Sequence, residues 1–120
     1  MSKILICDDL PTEVELMKQA VTSLGHTYVV VTDGEAACES AKKEKPDLIL
    51  LDVVLPKMDG FQACRKIKKD TETSNIPVIL VTSKGQESDK FWGMKQGASG
   101  YITKPFQPSE LAELITKTIR

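Results

Sequence analysis

Four short apolar runs recur along the chain, and each closes on polar residues. They are Ile4-Leu5-Ile6-Cys7 before Asp8-Asp9, Leu48-Ile49-Leu50-Leu51 before Asp52, Val78-Ile79-Leu80-Val81 before Thr82, and Tyr101-Ile102 before Thr103-Lys104. Their length and composition predict strands buried on both faces. Helix-like segments separate them, which predicts a parallel sheet built from βαβ units. The first strand covers about Lys3 to Asp8. A helix then starts near Thr12, with Glu15 as its capping-box partner, a buried stripe of Val14, Met17, Val21 and Leu24, and a stop at Gly25. A second strand covers about Tyr28 to Thr32. Asp33-Gly34 opens a helix that turns Ala37, Cys38 and Ala41 inward, and Pro46-Asp47 leads into a third strand ending at Asp52 or Val53. Leu55 to Gly60 forms a loop, and Gly60 precedes or opens the third helix. Thr71 to Ile76 returns the chain to the fourth strand. A fourth helix runs from about Gln86 to Gln96 and stops at Gly97, the fifth strand covers about Gly100 to Thr103, and Pro108 starts a fifth helix. Leu111, Leu114, Ile115 and Thr118 supply the last helix with its buried face.

Ligands of such sheets bind beyond the carboxyl ends of the strands. Asp8, Asp9, Asp52, Thr82 and Lys104 would therefore gather at one edge, although they lie far apart in the chain. Two carboxylates about 4 Å apart repel by roughly 4 kcal/mol at an effective dielectric of 20. Three ionised carboxylates at one point need a cation. Oxygen ligands without His or Cys suit a hard ion, and Mg²⁺ fits an incomplete cage that takes a phosphate oxygen. Lys104 adds fixed positive charge, and Pro105 fixes the backbone behind it through a bond that can be cis. Thr82 can donate to a phosphoryl oxygen. An aspartate among a hard cation, a lysine and a hydroxyl is suited to accept a phosphoryl group.

Composition narrows the function class. The 120 residues suffice for one domain and one core, and 41% hydrophobic with 28% charged residues is ordinary for a soluble protein. A net charge of −1 gives no broad basic surface for nucleic acid. The basic runs Lys42-Lys43-Glu44-Lys45 and Arg65-Lys66-Ile67-Lys68-Lys69 read as solvated helix faces. No apolar run approaches a membrane span and no signal peptide opens the chain, so the expected compartment is the cytoplasm. Cys7, Cys38 and Cys64 lack metal spacing. Cys7 and Cys38 read as small core residues, Cys64 as helical, and no disulfide is expected. His26, the only histidine, reads as a loop residue.

With these residues assembled, the chain resembles the receiver domains of bacterial two-component response regulators along essentially its whole length. The carriers are Asp8-Asp9, Asp52, Pro56 with Asp59-Gly60, Thr82-Ser83, Gly97-Ala98, Tyr101 and Lys104-Pro105-Phe106. The resemblance implies a flavodoxin-like (CheY-like), doubly wound five-stranded parallel sheet of order 2-1-3-4-5 with five helices. It implies that Asp52 takes a phosphoryl group from a histidine kinase, and that Asp9, Asp52 and the Val54 carbonyl bind Mg²⁺, with Asp8 acting directly or through water. Lys104 is implied to contact the phosphoryl group, and Thr82 to follow it and couple to Tyr101. Within the family the chain resembles stand-alone PilH-type regulators of type IV pilus chemosensory systems. The carriers of that likeness include Pro11-Thr12-Glu13, Gly60-Phe61-Gln62-Ala63 and Trp92-Gly93.

Residues 1–120 are thus expected to form one receiver domain without an output domain. It would be a switch rather than an enzyme, monomeric or weakly dimeric, signalling to a protein target in pilus or related chemosensory pathways. A phosphate sink for such a pathway is the alternative. The expected output face is helix 4, strand 5 and helix 5. Phe91, Trp92 and Met94 spread over about 160° of helix 4, too wide for one narrow buried stripe, so at least one should lie in the open. An aspartate-based phosphohydrolase fits less well, because Val54 stands where those enzymes usually carry a second acid. A nucleotide or flavin module lacks its glycine-rich loop after strand 1.

Overall fold

In a computed structural model describing residues 1–119, strands and helices alternate strictly. Arg120, the last residue of the expected domain, lies outside the described residues. The elements are β1 (Lys3–Cys7), α1 (Pro11–Ser23), β2 (Thr27–Val31), α2 (Gly34–Glu44), β3 (Leu48–Leu51), α3 (Gly60–Lys69), β4 (Val78–Thr82), α4 (Glu87–Lys95), β5 (Gly100–Thr103) and α5 (Pro108–Ile119). The strands form one sheet of order β2-β1-β3-β4-β5, and every neighbouring pair is parallel.

Period-two alternation divides the apolar runs between two cores. Ile4 and Ile6, Leu48 and Leu50, and Ile79 and Val81 point to one face, where Met17, Val21, Leu111 and Ile115 of α1 and α5 cover them. Leu5 and Cys7, Ile49 and Leu51, and Val78 and Leu80 point to the other, under Ala37, Ala41, Ala63, Cys64 and Ile67 of α2 and α3. The central strands β1, β3 and β4 are buried on both faces for this reason. β5 is not. It is an edge strand whose Tyr101, Ile102 and Thr103 are only partly covered, because its outer side has no further strand.

Other expectations are corrected at the helices. Thr12 is not the cap of α1 and makes no capping box with Glu15: Pro11 occupies the first helical position and Leu10 precedes it without a side-chain cap bond. Proline takes that position because its fixed φ suits the helix and its missing N–H would have no partner there. Leu24 is half-buried just beyond α1, and Ala20 fills the buried stripe instead. Cys64 is fully buried, whereas Cys38 lies at the margin of the core. α2 and α3 are capped as such turns require: Asp33 Oδ1 accepts from the Ala36 N–H at 2.8 Å, and Asp59 Oδ1 from the Gln62 N–H at 2.9 Å. Gly60 opens α3.

α4 differs from the other helices. Only Gly93 among its residues is buried, while Phe91 (65%), Trp92 (51%) and Met94 (49%) are exposed. The helix sits close to the sheet because Gly93 has no side chain. A Cβ there would come within 2.8 Å of Leu80 Cδ1 and 3.1 Å of the Tyr101 ring.

Candidate functional site

The parallel ladder runs on to the residues that carry the polar groups. The Asp8 N–H donates to the Val31 carbonyl at 3.2 Å, the Asp52 N–H to the Cys7 carbonyl at 3.0 Å and the Lys104 N–H to the Thr82 carbonyl at 2.8 Å. Their backbones are thus fixed by the sheet, and their side chains leave it at one edge. The acidic side chains of Asp8, Asp9 and Asp52 converge there, with ligand atoms within 4.8 Å of one another. A cleft of about 470 Å³ opens over them, lined by Asp9, Leu10, Glu13, Asp52, Val54, Ser83, Lys104 and Pro105.

The three acids occupy different environments. Asp8 and Asp52 are buried, whereas Asp9 is exposed. Asp8 Oδ1 accepts from the Leu10 N–H at 3.0 Å, and Asp52 Oδ1 from the Val54 N–H at 3.3 Å. The Lys104 ammonium lies between their other oxygens, 2.7 Å from Asp8 Oδ2 and 3.1 Å from Asp52 Oδ2. Burial pushes the Asp8 carboxyl above the ordinary aspartate value, although bonds from Lys104 and Leu10 oppose it. Burial also pulls the Lys104 ammonium down. The hydrogen bond to Asp8 and the charge of Asp52 outweigh that pull and hold it above the ordinary lysine value. Lys104 is therefore charged, and one ammonium faces three acids. The Lys104–Pro105 peptide bond is cis.

Close approach of α3 shapes the floor of the cleft. The Gly60 N–H donates to the Val53 carbonyl at 2.8 Å, and a Cβ on Gly60 would lie 2.0 Å from the Asp52 carbonyl oxygen. Only glycine fits there, and it lets the chain reverse directly after Asp52.

A second chain of contacts leads away from the cleft. Thr82 is fully buried at the end of β4, and its Oγ1 accepts from the Lys84 N–H at 3.4 Å. The Lys84 carbonyl in turn accepts from the Tyr101 hydroxyl at 2.5 Å. Burial, helped by the charges of Asp89 and Asp52, raises the Tyr101 phenol to about 12, so it remains a donor. The backbone of Lys84, through its N–H and its carbonyl, thus joins Thr82 to Tyr101, whose ring lies against the position of Gly93 on α4.

The structure brings together Asp8, Asp9, Asp52, Val54 and Lys104, with Thr82 adjacent. Phe91, Trp92 and Met94 lie outside the cleft, on α4. Two contributors were missed. Glu13 lines the cleft as a further acid, although its place in the first turn of α1, next to the same sheet edge, could have signalled it. The backbone of Lys84 contributes its N–H and its carbonyl, which no side-chain motif reveals. His26 lies in the α1–β2 connection, where its Nδ1 accepts from the Ser2 N–H at 3.0 Å.

The donor set suits a hard cation: carboxylate oxygens, one of them solvent-facing, and no His or Cys ligand in the cluster. Asp8, Asp9 and Asp52 are the acids that could hold such an ion.

Comparison with known proteins agrees with this geometry. The family described as response regulator receiver domain matches residues 4–116. Protein PilH of Pseudomonas aeruginosa is 44% identical over 119 residues, which cover 99% of this chain and 98% of that protein. The alkaline phosphatase synthesis transcriptional regulatory protein PhoP of Bacillus subtilis is 38% identical over 98% of this chain, which spans only 48% of its length. Among solved structures, the receiver domain of a Pseudomonas aeruginosa sensor histidine kinase, with a magnesium ion coordinated in its active-site cleft, superposes with a TM-score of 0.89. It is 30% identical, and the match covers 98% of this chain and 97% of that one.

Proposed function

Because this chain belongs to the response regulator receiver domain family, we propose that Asp52 is its phosphoacceptor and that phosphorylation there switches the binding of a protein target. The observation that carries this reading is the placement of a buried Asp52 carboxylate 3.1 Å from the Lys104 ammonium, beside two further acids. Receiver domains are phosphorylated by histidine kinases. In the transfer, an Asp52 oxygen attacks the phosphorus of a phosphohistidine, the P–N bond breaks, and an acyl phosphate forms with the histidine as leaving group. Bound Mg²⁺ would offset charge on the phosphoryl oxygens. Lys104 exchanges its contact with Asp52 Oδ2 for one with a phosphoryl oxygen. The Thr82 hydroxyl turns toward the same group, so the Lys84 N–H loses its acceptor and the β4–α4 loop is released to rearrange with Tyr101.

The output surface in this reading is α4, β5 and α5, where Phe91, Trp92 and Met94 are exposed. The chain acts as a switch without substrate turnover of its own. Similarity to PilH over almost the whole of both chains supports a place in pilus or twitching chemosensory signalling, in the cytoplasm. No helix among the described residues is long and apolar enough to cross a membrane.

Incubation with acetyl phosphate and Mg²⁺, followed by intact-mass measurement, tests the assignment. Wild type should gain one phosphoryl group, and Asp52→Asn none. Equal labelling of the variant would show the acceptor to be another residue.

A further inference from the structure

α3 and α4 enclose a groove of about 430 Å³ on the outer face of the molecule, away from the acidic cleft. Arg65, Lys68 and Lys69 line it from α3, and Trp92 and Lys95 from α4. No carboxylate is among the lining residues. The whole chain carries a net charge of −1, so this is local segregation of positive charge and not an overall excess. Lys68 is anchored: its Nζ donates to the Ile76 carbonyl at 2.8 Å. Arg65, Lys69 and Lys95 are exposed, and none of them has a carboxylate partner among the described residues. Trp92 and Lys95 stand three positions apart on α4 and so share one face of it. The indole is half in solvent.

An exposed tryptophan beside three cations without carboxylate partners, of which Lys95 lies over the Phe91 ring at 5.4 Å from its centroid, combines an apolar anchor with charge complementarity to anions. We propose that the α3–α4 groove docks an acidic protein segment that carries an aromatic or aliphatic residue. Its carboxylates would meet Arg65, Lys69 and Lys95, and its apolar side chain would pack on Trp92. Nucleic acid fits less well, because the chain as a whole carries a net charge of −1 and the groove offers three such cations around an indole, few for neutralising successive phosphates. The inference is independent of the phosphoacceptor assignment, because it is tested on the unphosphorylated protein.

The full chain is titrated with a short synthetic peptide of Glu and Asp around one Phe and one Leu, and Trp92, the only tryptophan, is followed by its emission. The controls are a peptide with Lys in place of the acids, one with Ser in place of Phe and Leu, and a single-stranded oligodeoxynucleotide. Saturable, salt-sensitive binding of the acidic peptide is expected, with a blue shift as the indole is covered. The Ser control should bind more weakly, and the Arg65→Glu/Lys69→Glu double variant should weaken binding at least about tenfold. These substitutions are at exposed positions, and circular dichroism checks that the fold is kept. Unchanged affinity in the folded double variant would overturn the proposal. So would absence of saturation, equal binding of the Lys control, or tighter binding of the oligonucleotide than of the acidic peptide.

Discussion

Asp8 and Asp9 are neighbours in the chain with opposite fates. One is fully buried against Lys104 and the other faces solvent. The sheet decides this: the Asp8 N–H still belongs to the parallel ladder, whereas Asp9 begins the turn into α1. The sequence reading could see that both acids stood at a strand end. It could not divide their roles, because burial depends on what Lys104 and Asp52 bring from elsewhere in the chain. That division has a measurable consequence. A carboxyl whose pKa is raised on folding favours the fold while it is protonated. The contribution is full below the unfolded value and is lost as pH rises through the folded one. Above the folded value, then, that contribution is gone, and Asp8→Asn, which cannot ionise, escapes the loss while keeping an acceptor for Lys104. In metal-free buffer above the folded value the variant should melt above wild type, each ~1 kcal/mol of relief appearing as about 3–5 °C for a domain of this size. The difference should close as pH falls through the raised Asp8 value, where wild type is protonated too. Thermal melts across that range check it, and a variant less stable than wild type at neutral pH would contradict the reading.

Strands β1, β3 and β4 were legible because each is an unbroken apolar run, and such a run has few other places to go in a chain this size. The helix starts were harder. Thr12 with Glu15 has the spacing of a capping box, but Pro11 claims the first helical position one residue earlier. β5 reads as buried from Tyr101-Ile102 alone, yet its position at the sheet edge is a property of strand order and not of the run itself. α3 shows how an element serves the site. It begins hard against the strand that carries Asp52, which only Gly60 permits. In Gly60→Ala the added methyl must displace either α3 or the Asp52 carbonyl. The expected loss is about 1–3 kcal/mol of stability, typical of an overpacked position. Mg²⁺ affinity should fall as well, because the Val54 carbonyl lies on the same reversal of the chain. Chemical denaturation and Mg²⁺ titration of the folded variant measure the two effects, and wild-type values for both would show that α3 does not fix the cleft.

On the scale of the whole molecule, the sheet gathers charge at one edge, and α4, which buries only Gly93, packs against Leu80 and Tyr101 beside it. Asp9 is the acid in the cluster that faces solvent, so it should govern cation entry. Asp9→Ala is expected to remove most Mg²⁺ binding, as calorimetric titration would show. The same substitution should not weaken the metal-free fold, since it relieves like-charge repulsion. In the proposed switch, the route from cleft to α4 would run through Thr82, the Lys84 backbone and the Tyr101 hydroxyl, which are linked by hydrogen bonds. A bias of a few kcal/mol along it is enough to move α4 from one population to the other. The central claim is that charge arriving at Asp52 changes the surface at α4. Trp92 reports it most directly, under beryllofluoride and Mg²⁺, where beryllofluoride on Asp52 stands in for the phosphoryl group. Wild type should change both emission and quencher access. Asp52→Asn should change neither, and Thr82→Val should bind the mimic with a much smaller response. Unchanged emission and quencher access in wild type, with mimic binding confirmed independently, would contradict the account.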